Sequence, residues 1–255
     1  YLTDASKREK DLIFETLSMY SEKIGRSKVI EALSHVYPAL FSYLQPYRFK
    51  IPQLDLDSYF QEYKYQKVVN KVFPDFLQFV NNQAEKREYN LWLPARSEKL
   101  DAINKEGTAV YFMDAMGVEY LSYVMEQCRT RKFMAYITIC HCELPSITSL
   151  NKEFVDVFTK GGSVFIPNKS GIKSLDDLKH HGKEEFDFTN NEIPTYISQE
   201  LDIISETINK IETLLVRGAY KRVVIISDHG ASRLCVLSKK ENKWGSESNA
   251  EHSGR

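Results

Sequence analysis

Three points in the sequence join a run of β-forming residues to side chains able to do chemistry. Asp114 follows the apolar run of "GTAVYFMDAMG" (107–117), and "KFMAYITIC" (132–140) leads into "HCELPSITSLN", which offers the hydroxyls of Ser146 and Thr148. "RVVIISDHGASRL" (222–234) passes from a core-like strand straight into Asp228, His229 and Gly230. A buried strand gains nothing from an aspartate and a histidine at its end, whereas ligands of open α/β sheets sit just beyond the carboxyl ends of the strands. Taken singly, an aspartate after a strand also serves as a helix cap. If the three points meet, their carboxylates repel and lose hydration at a cost of several kcal/mol. They then protonate or separate unless a cation lies between them. Carboxylate oxygens with an imidazole nitrogen suit zinc, manganese or a related divalent ion. Such an ion lowers the pKa of bound water to about 7 and activates a threonine hydroxyl in the same sense. The chemistry implied is metal-assisted attack on an electrophile such as phosphorus.

The elements that must position these residues fall into two textures. Residues 1–104 read as mainly helical: Leu12, Ile13, Leu17, Tyr20 and Ile24 keep a helical period. "KVIEALSHVYPALFSYL" continues the pattern up to Pro46, and Pro74 stands where a helix should start. The dense tyrosines and phenylalanines of this part are read as packing between helices rather than as a stacking platform for bases. From residue 105 to 255, β-runs alternate with helical segments, among them the amphipathic 194–218 with Gly218 as its stop. "SRLCVL" (232–237) is a further β-run, and 161–192 gives no clear pattern. Alternation of this kind predicts an α/β fold with a largely parallel sheet sandwiched by helices, behind a helical N-terminal region.

The 255 residues can bury a substantial core, and the 42% apolar and 27% charged content is that of a globular chain. A net charge of -1 gives no bulk field for nucleic acid. No apolar run approaches the roughly 18–20 residues that cross a bilayer. Four cysteines without scaffold spacing are expected to be reduced thiols in a cytoplasmic protein. The opening at Tyr1 and the close at Arg255 suggest a piece of a longer protein, truncated at its C-terminus. No phosphate loop or dinucleotide fingerprint is present. Cys140-His141-Cys142 resembles a ligand cluster, but alternate strand residues share a face, so two small cysteines flanking an outward histidine is the reading preferred.

The motifs "YFMDAMG", "LPSITSLN", "ISDHGASRL" and "AEHSGR", in that order, resemble those of the PglZ family, a branch of the alkaline phosphatase superfamily. The likeness runs from about residue 107 to the end. It implies an alkaline-phosphatase-like core in which Asp114, Asp228 and His229 hold one metal ion together with Thr148, the nucleophile, with Ser146 as rival on the same loop. His252 would help hold a second ion, so that one or two ions are expected. The aspartate and histidine that would complete the second set do not map cleanly. Asp187 is preferred over the His180-His181 pair; Asp177 and His181 would share a helix face, but no β-run is read before them. Arg233 could clamp a phosphate oxygen or form a surface ion pair.

The resemblance implies a metal-dependent phosphoesterase, a diesterase rather than a monoesterase, within a multi-protein bacterial phage-exclusion system. A phosphoester substrate, partner proteins of that defence complex and nucleic acid reached through them are the partners expected, with no membrane. The rival expectation is an interaction subunit that keeps the fold without turnover.

Overall fold

The computed structural model describes residues 2–86, 88–143, 148–152, 155, 158, 162–167, 169–181 and 193–230, without the side chains of 84, 86, 148 and 179–181. The N-terminal part is helical, as its periodicity predicts. Helix α1 (Lys7–Ile24) opens with a capping box, in which the Ser6 hydroxyl accepts from the Glu9 N–H and the Glu9 carboxylate accepts from the Ser6 N–H. Its buried face is Ile13, Phe14, Leu17 and Ser21, while Leu12, Tyr20 and Ile24 lie outward. The stripe is thus rotated from the one read in the sequence. Helices α2 (Arg26–Val36) and α3 (Pro38–Leu44) are separated at Tyr37 by the proline that starts α3. They are followed by α4 (Leu56–Val69), α5 (Pro74–Lys86), which starts at Pro74 as expected, and two short helices, α6 (Tyr89–Trp92) and α7 (Arg96–Asp101).

The remainder is α/β. Strand β1 (Thr108–Phe112) leads through a 3-10 turn (Val118–Tyr120) into α8 (Leu121–Thr130). Then come β2 (Ser163–Phe165), α9 (Leu175–His181), α10 (Tyr196–Val216) and β3 (Arg222–Ile226). The described strands form one sheet in the order β2-β1-β3, parallel at both junctions. Helix α10 stops as expected at Gly218, which takes φ +69°. The N–H groups of Gly218 and Ala219 close back on the carbonyls of Leu215 and Leu214, the paired bonds of a Schellman stop.

Strand β1 is buried along its whole length. Val110 and Phe112 pack on one face with Leu100, Phe158 and Ile226, and Tyr111 packs on the other with Ile172 and Ile211. Each such side chain removed from water contributes roughly 1.5–3 kcal/mol. The largest core cluster joins Phe14, Leu33, Leu40 and Val68 of the helical part to Met113, Tyr120, Leu175, Ile197 and Leu201 of the α/β part. The Tyr43–Tyr120 pair lies in this cluster, and elsewhere in the helical part the rings of Tyr59, Tyr63, Phe76 and Phe79 meet one another.

Two sequence expectations need correction. Residues 132–140, expected as a sheet strand, form no strand among the described residues: Lys132 sits in a turn at φ +61°, and the pairing nearest to them is one parallel bridge between Ala95 and His141. Both edges of β1 are already taken by β2 and β3. The alternation read as β survives as exposure: Met134 and Tyr136 are 81% and 86% exposed, while Phe133, Ile137 and Ile139 turn inward. Conversely, 161–192 holds β2 and α9, so a β-run does precede the Asp177 region. The expected strand at 232–237 lies outside the described residues.

Candidate metal centre

The loop after β1 and the end of β3 stay in register beyond the strands, with the Met113 N–H donating to the Ile226 carbonyl at 2.8 Å. This brings Asp114 beside Asp228 and His229, both of which are buried. Ala115 is fully buried with φ +60°, a left-handed conformation uncommon for a residue with a side chain. Its N–H donates to Asp228 Oδ1 at 3.3 Å, and the His229 N–H donates to the same oxygen at 2.9 Å. One carboxylate oxygen of Asp228 is therefore fixed by two backbone donors. The other, Oδ2, is buried, makes no hydrogen bond and lies 3.3 Å from His229 Nε2.

His229 Nδ1 sits 3.0 Å from the Gly230 carbonyl, which can only accept, so the proton is on Nδ1. The far nitrogen, Nε2, faces Asp228 Oδ2 at 3.3 Å and Asp114 Oδ1 at 3.7 Å. A neutral Nε2 lone pair against two carboxylates is repulsive. The arrangement calls for a positive charge at that point, as a cation or as a second proton on the ring.

A third acid completes the cluster. Ligand atoms of Asp114, Asp176 and His229 all lie within 4.8 Å of one another. Asp176 opens α9, whose start is set by Ser174: its hydroxyl accepts from the N–H groups of Asp176 and Asp177. Oxygen donors with one imidazole nitrogen are a donor set for zinc or manganese.

The sequence reading named Asp114, Asp228 and His229, and the structure brings them together. It passed over Asp176, for which the only local signal was a serine cap ahead of two acids. Asp177 is on the same helix turn but is not one of the converging group. The backbone of Thr148 starts a 3-10 turn, Thr148–Leu150, but its side chain is not among those described. Ser146, Asp187, Arg233 and His252 lie outside the described residues, as do the side chains of His180 and His181. Cys140, His141 and Cys142 are half-buried and do not form a converging group of ligands; burial pushes both thiols above their ordinary range.

Two residues that the sequence reading did not single out tie the centre together. The Arg96 guanidinium donates to the carbonyls of Ser227 (2.8 Å) and Asp228 (3.0 Å) and to that of Asn151 (2.9 Å). Asn151 is fully buried; its Oδ1 accepts from the Glu143 N–H at 2.9 Å and its Nδ2 donates to the Glu143 carbonyl at 3.3 Å. The Ser227 hydroxyl donates to the His229 carbonyl at 2.6 Å, stiffening the same turn.

Gly117 is a point of close approach. A Cβ there would meet the buried Glu119 carboxylate at 1.9 Å, and a Cβ on Gly230 would lie 3.1 Å from the Gly117 Cα. The loops carrying Asp114 and His229 thus pack backbone to backbone.

Compared with protein-family models, curated proteins and solved structures, the chain matches none. Among the described residues, no helix is long and apolar enough to cross a membrane.

Proposed function

We propose that the chain is a metal-dependent phosphoesterase, acting on diesters rather than monoesters, with Thr148 as nucleophile. The observation that carries this reading is the convergence of Asp114, Asp176 and His229, with Asp228 beside them, beyond the ends of two neighbouring parallel strands. Zinc, or manganese in its place, suits these four residues; His252 and Asp187 are kept for a second ion. Such an ion supplies stabilisation of charge on oxygen.

The chain's own residues do the rest. Backbone donors hold Asp228 in one orientation, and the Gly230 carbonyl holds the tautomer of His229. The Thr148 hydroxyl attacks phosphorus, the bond to the leaving alcohol breaks, and water then cleaves the phosphothreonine. Arg233 is the residue proposed to clamp a phosphate oxygen. The four motifs that resemble the PglZ family extend the proposal to an alkaline-phosphatase-like core, to bacterial phage defence and to partner proteins that bring nucleic acid to the complex.

The test is hydrolysis of bis(4-nitrophenyl) phosphate with added zinc or manganese. Thr148→Ala should lose at least ~10³-fold in kcat while retaining metal. Asp228→Asn should lose the metal, read by elemental analysis. An inactive wild type that nevertheless binds metal would sink the enzymatic reading.

A second reading, an interaction subunit without turnover, is favoured by the outward Met134 and Tyr136. In that case Thr148→Ala would leave every function of the protein intact.

A further inference from the structure

We infer that Arg96 is a positioning residue that bolts the turn proposed to carry the nucleophile to the strand end that carries the metal ligands. The inference rests on the phosphoesterase reading for its catalytic consequence, but the tether itself is read from geometry. Arg96 opens α7, in the part of the chain that precedes the described strands. One guanidinium nitrogen donates to the carbonyls of Ser227 and Asp228, 131 and 132 residues away. The other donates to the Asn151 carbonyl at 2.9 Å and reaches its Oδ1 at 3.5 Å. Asn151 directly follows the Thr148–Leu150 turn, and its two bonds to the Glu143 backbone fix it against that residue. The bridge between Ala95 and His141 holds the chain just before Glu143 against the residue preceding Arg96.

The end of β3 and the turn proposed to carry the nucleophile are therefore referenced to one rigid plane. A guanidinium presents five donors in fixed directions, enough to serve both segments at once. An ammonium presents its donors from a single atom and cannot span two carbonyl groups on one side and a third on the other. These bonds go to backbone oxygens, so they constrain where the chain runs rather than which side chains it bears. Attack on phosphorus depends on the separation between nucleophile and metal, and a displacement of about 1 Å can cost ~10²-fold in rate.

The experiment compares wild type with Arg96→Lys and Arg96→Ala by three readouts. Hydrogen exchange should rise in peptides covering 143–151 and 227–230 together, with β1 unchanged. Zinc content should persist. With bis(4-nitrophenyl) phosphate, kcat should fall about 10²-fold for Arg96→Lys with KM within about threefold, the pattern of lost positioning rather than lost binding. Guanidinium ion at millimolar concentration should restore part of the activity of Arg96→Ala. Unchanged exchange in either peptide, or an unchanged kcat in an active enzyme, overturns the inference. A wild type that binds zinc but hydrolyses nothing overturns the phosphoesterase reading instead, and the exchange data then decide the tether alone.

Discussion

The Lys67 ammonium lies 2.9 Å from the Glu200 carboxylate, and both side chains are shut off from solvent. The Tyr120 hydroxyl donates to the same carboxylate oxygen at 2.6 Å, and the Lys67 ammonium stands over the rings of Tyr120 and Tyr196. Burial alone would lower the Lys67 pKa, but Glu200, with Tyr63, Tyr196 and Glu119, more than offsets this and holds it above the ordinary lysine range. The pair links α4 to α10, and so the helical part of the chain to the α/β part.

Removing one partner strands the other. Lys67→Met is expected to cost about 3–5 kcal/mol, whereas the double variant Lys67→Met/Glu200→Leu should recover most of that loss. Urea unfolding of both single variants and the double variant checks it; a fully additive double variant would mean the two charges do not act as a pair.

Lys64 behaves in the opposite way. Its ammonium is buried, donating to the Gln45 carbonyl and the Ser122 hydroxyl, and burial lowers its pKa from the ordinary 10.5 to about 8, against a smaller upward pull from Glu119. A folded pKa below the unfolded one means that the unfolded chain binds the proton more tightly. The stability cost of charging Lys64 is therefore in force below pH 8 and is relieved between about 8 and 10.5. Between pH 7.5 and 9.5, wild type should gain stability relative to Lys64→Met by of order 1–2 kcal/mol. Comparison with that variant cancels the thiols and phenols that titrate nearby. A parallel pH dependence in the two proteins would refute the assignment.

Zinc should raise the melting temperature, because a ligand at 100 times its Kd adds about 2.7 kcal/mol to the folded state. Asp176→Asn and Asp228→Asn should each abolish most of that rise. Zinc and manganese that leave the melting temperature of wild type unchanged would refute the metal centre.

Gly117→Ala should destabilise by about 1–3 kcal/mol, since the new methyl group must displace the buried Glu119 carboxylate. Gly230→Ala presses on the Gly117 backbone and should weaken zinc binding more than it lowers stability. Titration calorimetry with zinc separates the two outcomes.

Asp114, Asp228 and His229 were legible in the sequence because each stands where an apolar run stops, which is where an α/β sheet opens to solvent. Asp176 was not, because the strand before it is only three residues long and lies in a stretch with no clear periodicity. Arg96 left no local trace, since its partners are backbone carbonyls more than 50 residues away. Lys64 and Lys67 lie in a helical pattern in which lysine ordinarily marks the wet face, yet α4 is buried along 63–69. The alternation of 132–140 was read as a strand; it survives only as alternating exposure, because a period of two reports which side chains face water and not whether a neighbouring strand pairs with the backbone.

The bond between the Ala115 N–H and Asp228 spans 113 residues, and this sets the order in which the molecule can be finished. During synthesis Asp114 emerges well before its partners, and the centre exists only once β3 has docked, a late step because distant pairing closes a long loop. A cation therefore has nothing to hold while the first helices assemble. A cation bound at the proposed centre would latch the completed chain, slowing unfolding rather than speeding folding.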